Sequence, residues 1–97
     1  MTATPATVTL SQHVRRSDEV MAQEVGGETV LLDLASEQYF GLDPVGTRIW
    51  ELLADAPPLE NVHETLCAEF EAEPERIRDD LLALIRQFLD AGLVKVD

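Results

Sequence analysis

Gly26–Gly27 restricts this chain more than any other pair of residues in it. Two adjacent glycines supply the positive φ angles of a tight hairpin turn at no steric cost. The runs on either side are the right length for strands. Val20–Val25 reads as the first and Glu28–Leu34 as the second. Period-two alternation puts Val30, Leu32 and Leu34 on one face of the pleat. Leu31 is apolar on the other face, which is therefore not fully solvated. After Ala35–Ser36, Glu37–Leu42 reads as a third strand, with Phe40 and Leu42 on one side and Tyr39 on the other. Tight turns between consecutive strands make the sheet an antiparallel meander.

The pattern then changes to a helical period. Asp43–Pro44 is a start signal, because Asp caps well and Pro suits the first turn. Val45, Ile49, Leu52 and Leu53 form the apolar stripe of this helix, widened by Trp50. Ala56–Pro57–Pro58 ends it. A second helix is predicted over Leu59–Phe70, with Leu59, Val62, Leu66 and Phe70 at helical spacing. A third begins at Glu73–Pro74 and continues to Ala91, with Gly92 placed as its C′ residue. Leu93–Val96 is short and apolar enough to pack back. A three-stranded sheet cannot stand alone and must pack on these helices. The fold class is therefore α+β, a winged helix-turn-helix-like arrangement in which the three-stranded antiparallel sheet precedes three helices.

With 97 residues there is one domain and one core. Residues 1–12 lack a sustained period and read as a flexible tail, with a short strand at Val8–Leu10; residues 13–97 read as the domain. Nineteen acidic residues against seven basic ones give a net charge of −12. Nucleic-acid binding needs a basic face to displace counterions from phosphates. Here Arg15–Arg16 and Arg76–Arg78 are both flanked by carboxylates, so neither nucleic acid nor an anionic membrane is an expected partner. A neutral or basic peptide fits this field. Cys67 is the single cysteine, which excludes an intrachain disulfide and a multi-cysteine zinc site. No signal pattern and no membrane-spanning apolar run is present, so the chain is read as cytoplasmic.

Chemistry has few places to reside. His63 and Cys67 are four apart on a helix, the spacing of a nucleophile and its base. No orienting group or oxyanion site accompanies them, and a boundary histidine beside a small core cysteine is the simpler account. Two ligands do not make a zinc site. Glu69, Glu71, Glu73 and Glu75 lack the glycine turn and spacing of a calcium loop. No catalytic residue, metal or cofactor is expected. The third helix is more informative. Ile77, Leu81, Leu84 and Phe88 make one apolar stripe, and Leu82, Ile85 and Leu89 make a second beside it. Either the core wraps this helix from two sides, or the second stripe lines a groove. An edge strand beside such a groove is a site for strand addition by a peptide.

Several segments together resemble one family. They are Val30–Leu31–Leu32–Asp33–Leu34, Tyr39–Phe40–Gly41–Leu42–Asp43, Gly46 with Ile49–Trp50, then Pro74–Glu75, Asp80–Leu81 and Gly92–Leu93. In order and spacing they resemble the PqqD-like family, the leader-recognition domains of ribosomally made, post-translationally modified peptides. The resemblance runs from about His13 to Val94. It implies a precursor leader bound as an extra antiparallel strand against the third strand, in a cleft shared with the third helix. Carried onto this chain, the peptide-binding residues are Glu37, Gln38, Tyr39, Phe40, Gly41 and Leu42 on the strand. On the helix they are Arg78, Asp79, Leu82, Ile85, Arg86 and Leu89. Arg78 and Arg86 would meet acidic leader residues, and Asp79 a basic one.

PqqD proper carries a Tyr-Pro-Glu-Gly run where this chain has Leu34–Ala35–Ser36–Glu37. That departure argues against the quinone pathway, and a stand-alone chain of this length more resembles the separate leader-binding protein of lasso-peptide clusters. Its partner is a leader peptidase on another chain, and its leaders often carry Tyr-x-x-Pro. A peptide chaperone serving a radical SAM enzyme or another modifying enzyme is the alternative. A winged-helix DNA-binding regulator and a small enzyme using Cys67 stand behind it. The exposed sheet edges also allow a weak strand-paired homodimer.

Overall fold

The computed structural model describes residues 8–96. Gly26 and Gly27 take φ values of 63° and 85° and turn the chain tightly between β2 (Val20–Val25) and β3 (Glu28–Asp33). β4 (Gln38–Leu42) completes an antiparallel sheet of order β2-β3-β4. Three helices follow: α1 (Pro44–Leu52), α2 (Leu59–Glu69) and α3 (Pro74–Asp90). A 3-10 turn over Leu53–Asp55 ends α1, and Ala56, at φ 50°, turns the chain toward Pro57 and Pro58. The expected α+β order of a three-stranded meander and three helices is thus the observed one.

Two strands had no clear signal. β1 (Val14–Arg16) pairs antiparallel with β5 (Val94–Val96), with Val14 opposite Val96. This second sheet joins the two ends of the described chain. Gly92, at φ 77°, makes the return possible, because its left-handed conformation lets Leu93 N–H reach the Phe88 carbonyl at 2.9 Å. No strand forms at Val8–Leu10. That stretch is irregular and runs into a turn closed by Gln12 N–H to Thr9 O at 3.2 Å. The expected limit between tail and domain, after Gln12, falls inside hydrogen-bonded backbone. Met1–Thr7 and Asp97 lie outside the described residues.

The pleat of the meander faces the opposite way from the Val30–Leu32–Leu34 stripe. Ala22, Leu31 and Phe40 are paired across the sheet, and this row faces the helices. Leu31 is 0% exposed, whereas Leu34 is 51% and Tyr39 71% exposed. Leu34 lies beyond β3 altogether. Burial follows what lies opposite: Leu31 and Leu42 meet the core that contains Ile49, Leu53, Leu66 and Leu81. Fully burying one such leucine stabilises the fold by about 1.5–3 kcal/mol. On the far side of that core, Trp50 meets Phe88 edge-to-face at 5.8 Å, and the Arg16 guanidinium lies 5.3 Å from the Trp50 ring centroid.

α2 has no side-chain N-cap, since Pro58 occupies that position. The orphan N–H groups of its first turn are satisfied from elsewhere in the chain. Leu59 N–H donates to Gln12 O at 2.9 Å, and Glu60 N–H to Leu10 O at 2.8 Å. The segment before β1 is therefore the cap of a helix far away in sequence. At the other end of α2, Arg48 of α1 grips Glu69 with two hydrogen bonds, Nε–Oε1 at 2.8 Å and Nη2–Oε2 at 2.7 Å. This bidentate pair holds the Glu69 carboxyl below its ordinary value and the guanidinium above its own.

Removing the residues before His13 takes away both backbone caps and the packing of Val8 and Leu10. The expected loss is about 2–4 kcal/mol of unfolding free energy, read from a urea melt. Glu69→Gln tests the other end of α2. A carboxyl depressed in the folded state stabilises above its unfolded pKa, and this contribution fades as pH falls through the folded value. The variant should melt below the parent at neutral pH, and the two melting curves should converge on acidification.

Candidate functional site

β4 is an edge strand. It pairs with β3 on one side, and its other edge has no strand partner among the described residues. The turn leading into it is tightly held. Asp33, 6% exposed, accepts from Ala35 N–H at 3.1 Å through Oδ1 and from the Ser36 hydroxyl at 2.8 Å through Oδ2. Glu37 N–H then donates to Asp33 O at 2.7 Å. Glu37 itself takes φ 58°, left-handed for a residue with a side chain. The strand consequently begins at Gln38, one residue later than expected. Its backbone is presented to solvent at Gln38, Tyr39 and Gly41, while Phe40 and Leu42 turn inward. A Cβ added at Gly41 would meet nothing within 4 Å, so that position is open.

At its C-terminal end β4 runs directly into α1. The Asp43 carboxylate accepts from Gly46 N–H at 2.7 Å, capping the helix as the Asp-Pro signal implied. Gly46 is buried here because a Cβ would lie 3.1 Å from Asp43 Oδ1 and 3.5 Å from Leu42 Cβ. Next to this junction opens a groove of about 540 Å³. One wall is α1, with Val45, Gly46 and Ile49. The end is Phe70, Glu71 and Ala72, just beyond α2. The opposite wall is α3, with Asp80, Ala83, Leu84 and Gln87. The edge strand thus ends where an apolar groove begins, at Asp43.

The residues expected at a peptide site are not all in this place. Gln38–Leu42 form the edge strand, and Glu37 lies in the turn before it. Ile85 is 0% exposed and belongs to the core. Leu82 and Arg86 line a smaller hollow with Val8 and Ala83. Leu89 is half-buried against the core. Arg78 and Asp79 are bonded to each other, with Arg78 Nη2–Asp79 Oδ1 at 3.2 Å. The wall of α3 facing the groove is one residue-step around the helix, at Leu84 rather than Ile85. Leu84 stood in the first apolar stripe, and its partial exposure was the only distinguishing property; periodicity does not report that. The second stripe is accounted for by the core, against which Leu82 and Val8 both pack, and by β5, which packs on α3. The core does wrap this helix from two sides.

His63 and Cys67 come together, but not as nucleophile and base. His63 Nε2 is 2.8 Å from the Pro74 carbonyl and 3.5 Å from Cys67 Sγ. A carbonyl oxygen can only accept, so Nε2 carries the proton and has no lone pair to take one from the thiol. The histidine fastens α2 to the start of α3. Among the described residues no group of three or more His, Cys, Asp or Glu is placed to hold a metal ion, and no helix is long and apolar enough to cross a membrane. The arginines are largely engaged in the fold: Arg16 on Trp50, Arg48 on Glu69, and Arg76 and Arg78 with neighbouring aspartates.

Residues 28–94, from β3 into β5, match the family described as Coenzyme PQQ synthesis protein D (PqqD). The chain belongs to the PqqD family. Two solved structures are similar to most of it. One is described as TbiB1 in complex with the TbiA(beta) leader peptide; it is 34% identical with a TM-score of 0.77, over 84% of this chain and 94% of that one. The other is a lasso peptide synthetase B1 complexed with the leader peptide, 25% identical with a TM-score of 0.77, over 86% and 98% of the two chains. No curated protein matches the chain. The match to the PqqD family begins at Glu28, so β1, β2 and the segment capping α2 lie outside it.

The left-handed Glu37 is a direct test of how the edge strand is set up. An L-residue in that region costs about 1–2 kcal/mol, and glycine returns part of this in backbone entropy. Glu37→Gly should therefore raise stability by roughly 0.5 kcal/mol in a denaturant melt. A loss of stability would mean that the Glu37 side chain contributes more than its backbone costs.

Proposed function

We propose that this protein binds the leader segment of a ribosomally synthesised precursor peptide and presents it to a separate processing enzyme. The observation that carries the reading is the unpaired edge of β4 beside the groove walled by α1 and α3. An extended peptide that adds antiparallel to β4 gains main-chain hydrogen bonds along the edge. Its inward side chains enter the groove, where shape and polarity select them. Both similar structures hold a leader peptide, which supports the same ligand class here.

The chain's part is binding, not bond-making. Holding the precursor near an enzyme raises the local substrate concentration, to roughly millimolar for a short flexible connection. The enzyme most consistent with the resemblance is the leader peptidase of a lasso-peptide pathway. It would act on the precursor while this domain retains the leader.

The test is fluorescence anisotropy with labelled leaders from short precursors encoded beside this gene. Leu84→Arg places a charge in the groove wall at a half-buried position, so the fold should survive by circular dichroism. Binding should weaken by at least about tenfold, the cost of roughly 1.4 kcal/mol. Unchanged affinity in a folded Leu84→Arg protein would remove the groove from the site. Cys67→Ala should bind as the parent does, since the thiol takes no part.

A further inference from the structure

The groove has an apolar floor and a rim of one sign. Ile49, Leu66 and Leu81 form the floor and are buried, with Val45, Phe70 and Leu84 more open around them. The charged residues that line it are Asp43, Glu71 and Asp80, and none of its lining residues is a lysine or arginine. Little within the fold neutralises these three. Asp43 spends Oδ1 on the Gly46 N–H. Asp80 is 3.9 Å from Arg76 Nε, both side chains being more than two-thirds exposed. Such a pair is worth little in water. Glu71 has no hydrogen-bond or ion-pair partner among the described residues.

From this we infer that the groove is a subsite for a lysine or arginine of the bound peptide, on the N-terminal side of the segment that pairs with β4. The inference rests on the leader-binding reading and specifies its ligand. A peptide antiparallel to β4 passes Leu42 first and Gln38 last. The groove lies at the Leu42 end, so the N-terminal residues of the paired segment meet it. A neutral or acidic peptide seated there would strip water from three carboxylates without replacing it, which is unfavourable. A long basic side chain solves both parts of the problem. Its methylene stem lies along Val45, Phe70 and Leu84, while its charged head remains at the hydrated rim beside Glu71 and Asp80. Arginine could in addition stack on the Phe70 ring. The net charge of −12 has the same sign as the rim, so it draws a basic peptide in from a distance and makes association salt-sensitive.

The experiment is a charge swap with the leader from the precursor encoded beside this gene. Each Lys or Arg on the N-terminal side of its apolar anchors is changed to Gln, then to Glu. The protein is prepared as parent and as Glu71→Lys/Asp80→Lys, two exposed changes that should not disturb the core. Affinity is read by anisotropy at low and at physiological salt. For the parent protein the Gln peptide should bind about five- to tenfold more weakly at low salt, with a smaller difference at high salt. The Glu peptide should lose more, and the Lys/Lys protein should recover it while binding the natural leader less well. Anchor-dependent binding that ignores these charges overturns the inference and leaves leader binding standing. So does a bound leader with no basic residue on that side. No leader binding at all removes both. A groove filled instead by a second copy of the chain, seen as dimerisation abolished by Leu84→Arg without any peptide affinity, also overturns it.

Discussion

Leu31 is where the sheet is attached to the helices. A meander of this size has no core of its own, so its stability is borrowed through the face it turns inward. That face is set by the parity of a single strand: with Leu31 in, its cross-strand neighbours Ala22 and Phe40 share its side, and Met21, Leu32 and Tyr39 take the other. Everything that makes β4 useful follows from this choice. With Phe40 and Leu42 directed at the helices and its inner edge paired to β3, the strand is already anchored. Its outer backbone edge has no structural task left and is available to a ligand.

The groove beside that edge comes from a close approach. Asp43 stops the strand and starts the helix with the same carboxylate, so no linker separates β4 from α1. Gly46 allows the first helical turn to sit against Leu42. Arg48 then ties α1 to the end of α2, and His63 ties α2 to the beginning of α3. The three walls are thus fixed relative to one another by polar contacts at their ends, and the middle is left open. A site arranged in this way is formed before the ligand arrives, which lowers the ordering cost of binding.

The elements themselves were legible because their signals are local. Gly26–Gly27, Asp43–Pro44, Pro57–Pro58, Glu73–Pro74 and Gly92 mark real boundaries, and each acts through its own backbone. What could not be read is non-local. Both alternating faces of Glu28–Leu34 contain apolar residues, so alternation alone cannot say which is buried; the helices opposite decide. β1 and β5 are three residues each and are strands only because they meet. Leu10 and Gln12 cap α2 with main-chain carbonyls, which every residue possesses and no sequence pattern advertises. The same limit applies to the site. The family resemblance pointed to the third strand, but the groove-facing side of α3 depends on what β5 and the core cover, and that information lies elsewhere in the chain.

The pairing of Val14 with Val96 has a kinetic meaning. The β2–β3–β4 meander and the step into α1 connect near neighbours, so they can assemble early and quickly. The small sheet of β1 and β5 closes a loop around most of the described residues, and its formation carries the largest loop-closure entropy among the described strand pairings. During synthesis β1 emerges first yet waits for the last strand to appear. Until then α3 lacks the cover of β5. The nascent domain would spend that interval with an apolar helix face partly open, a state in which chaperone capture competes with completion of the fold.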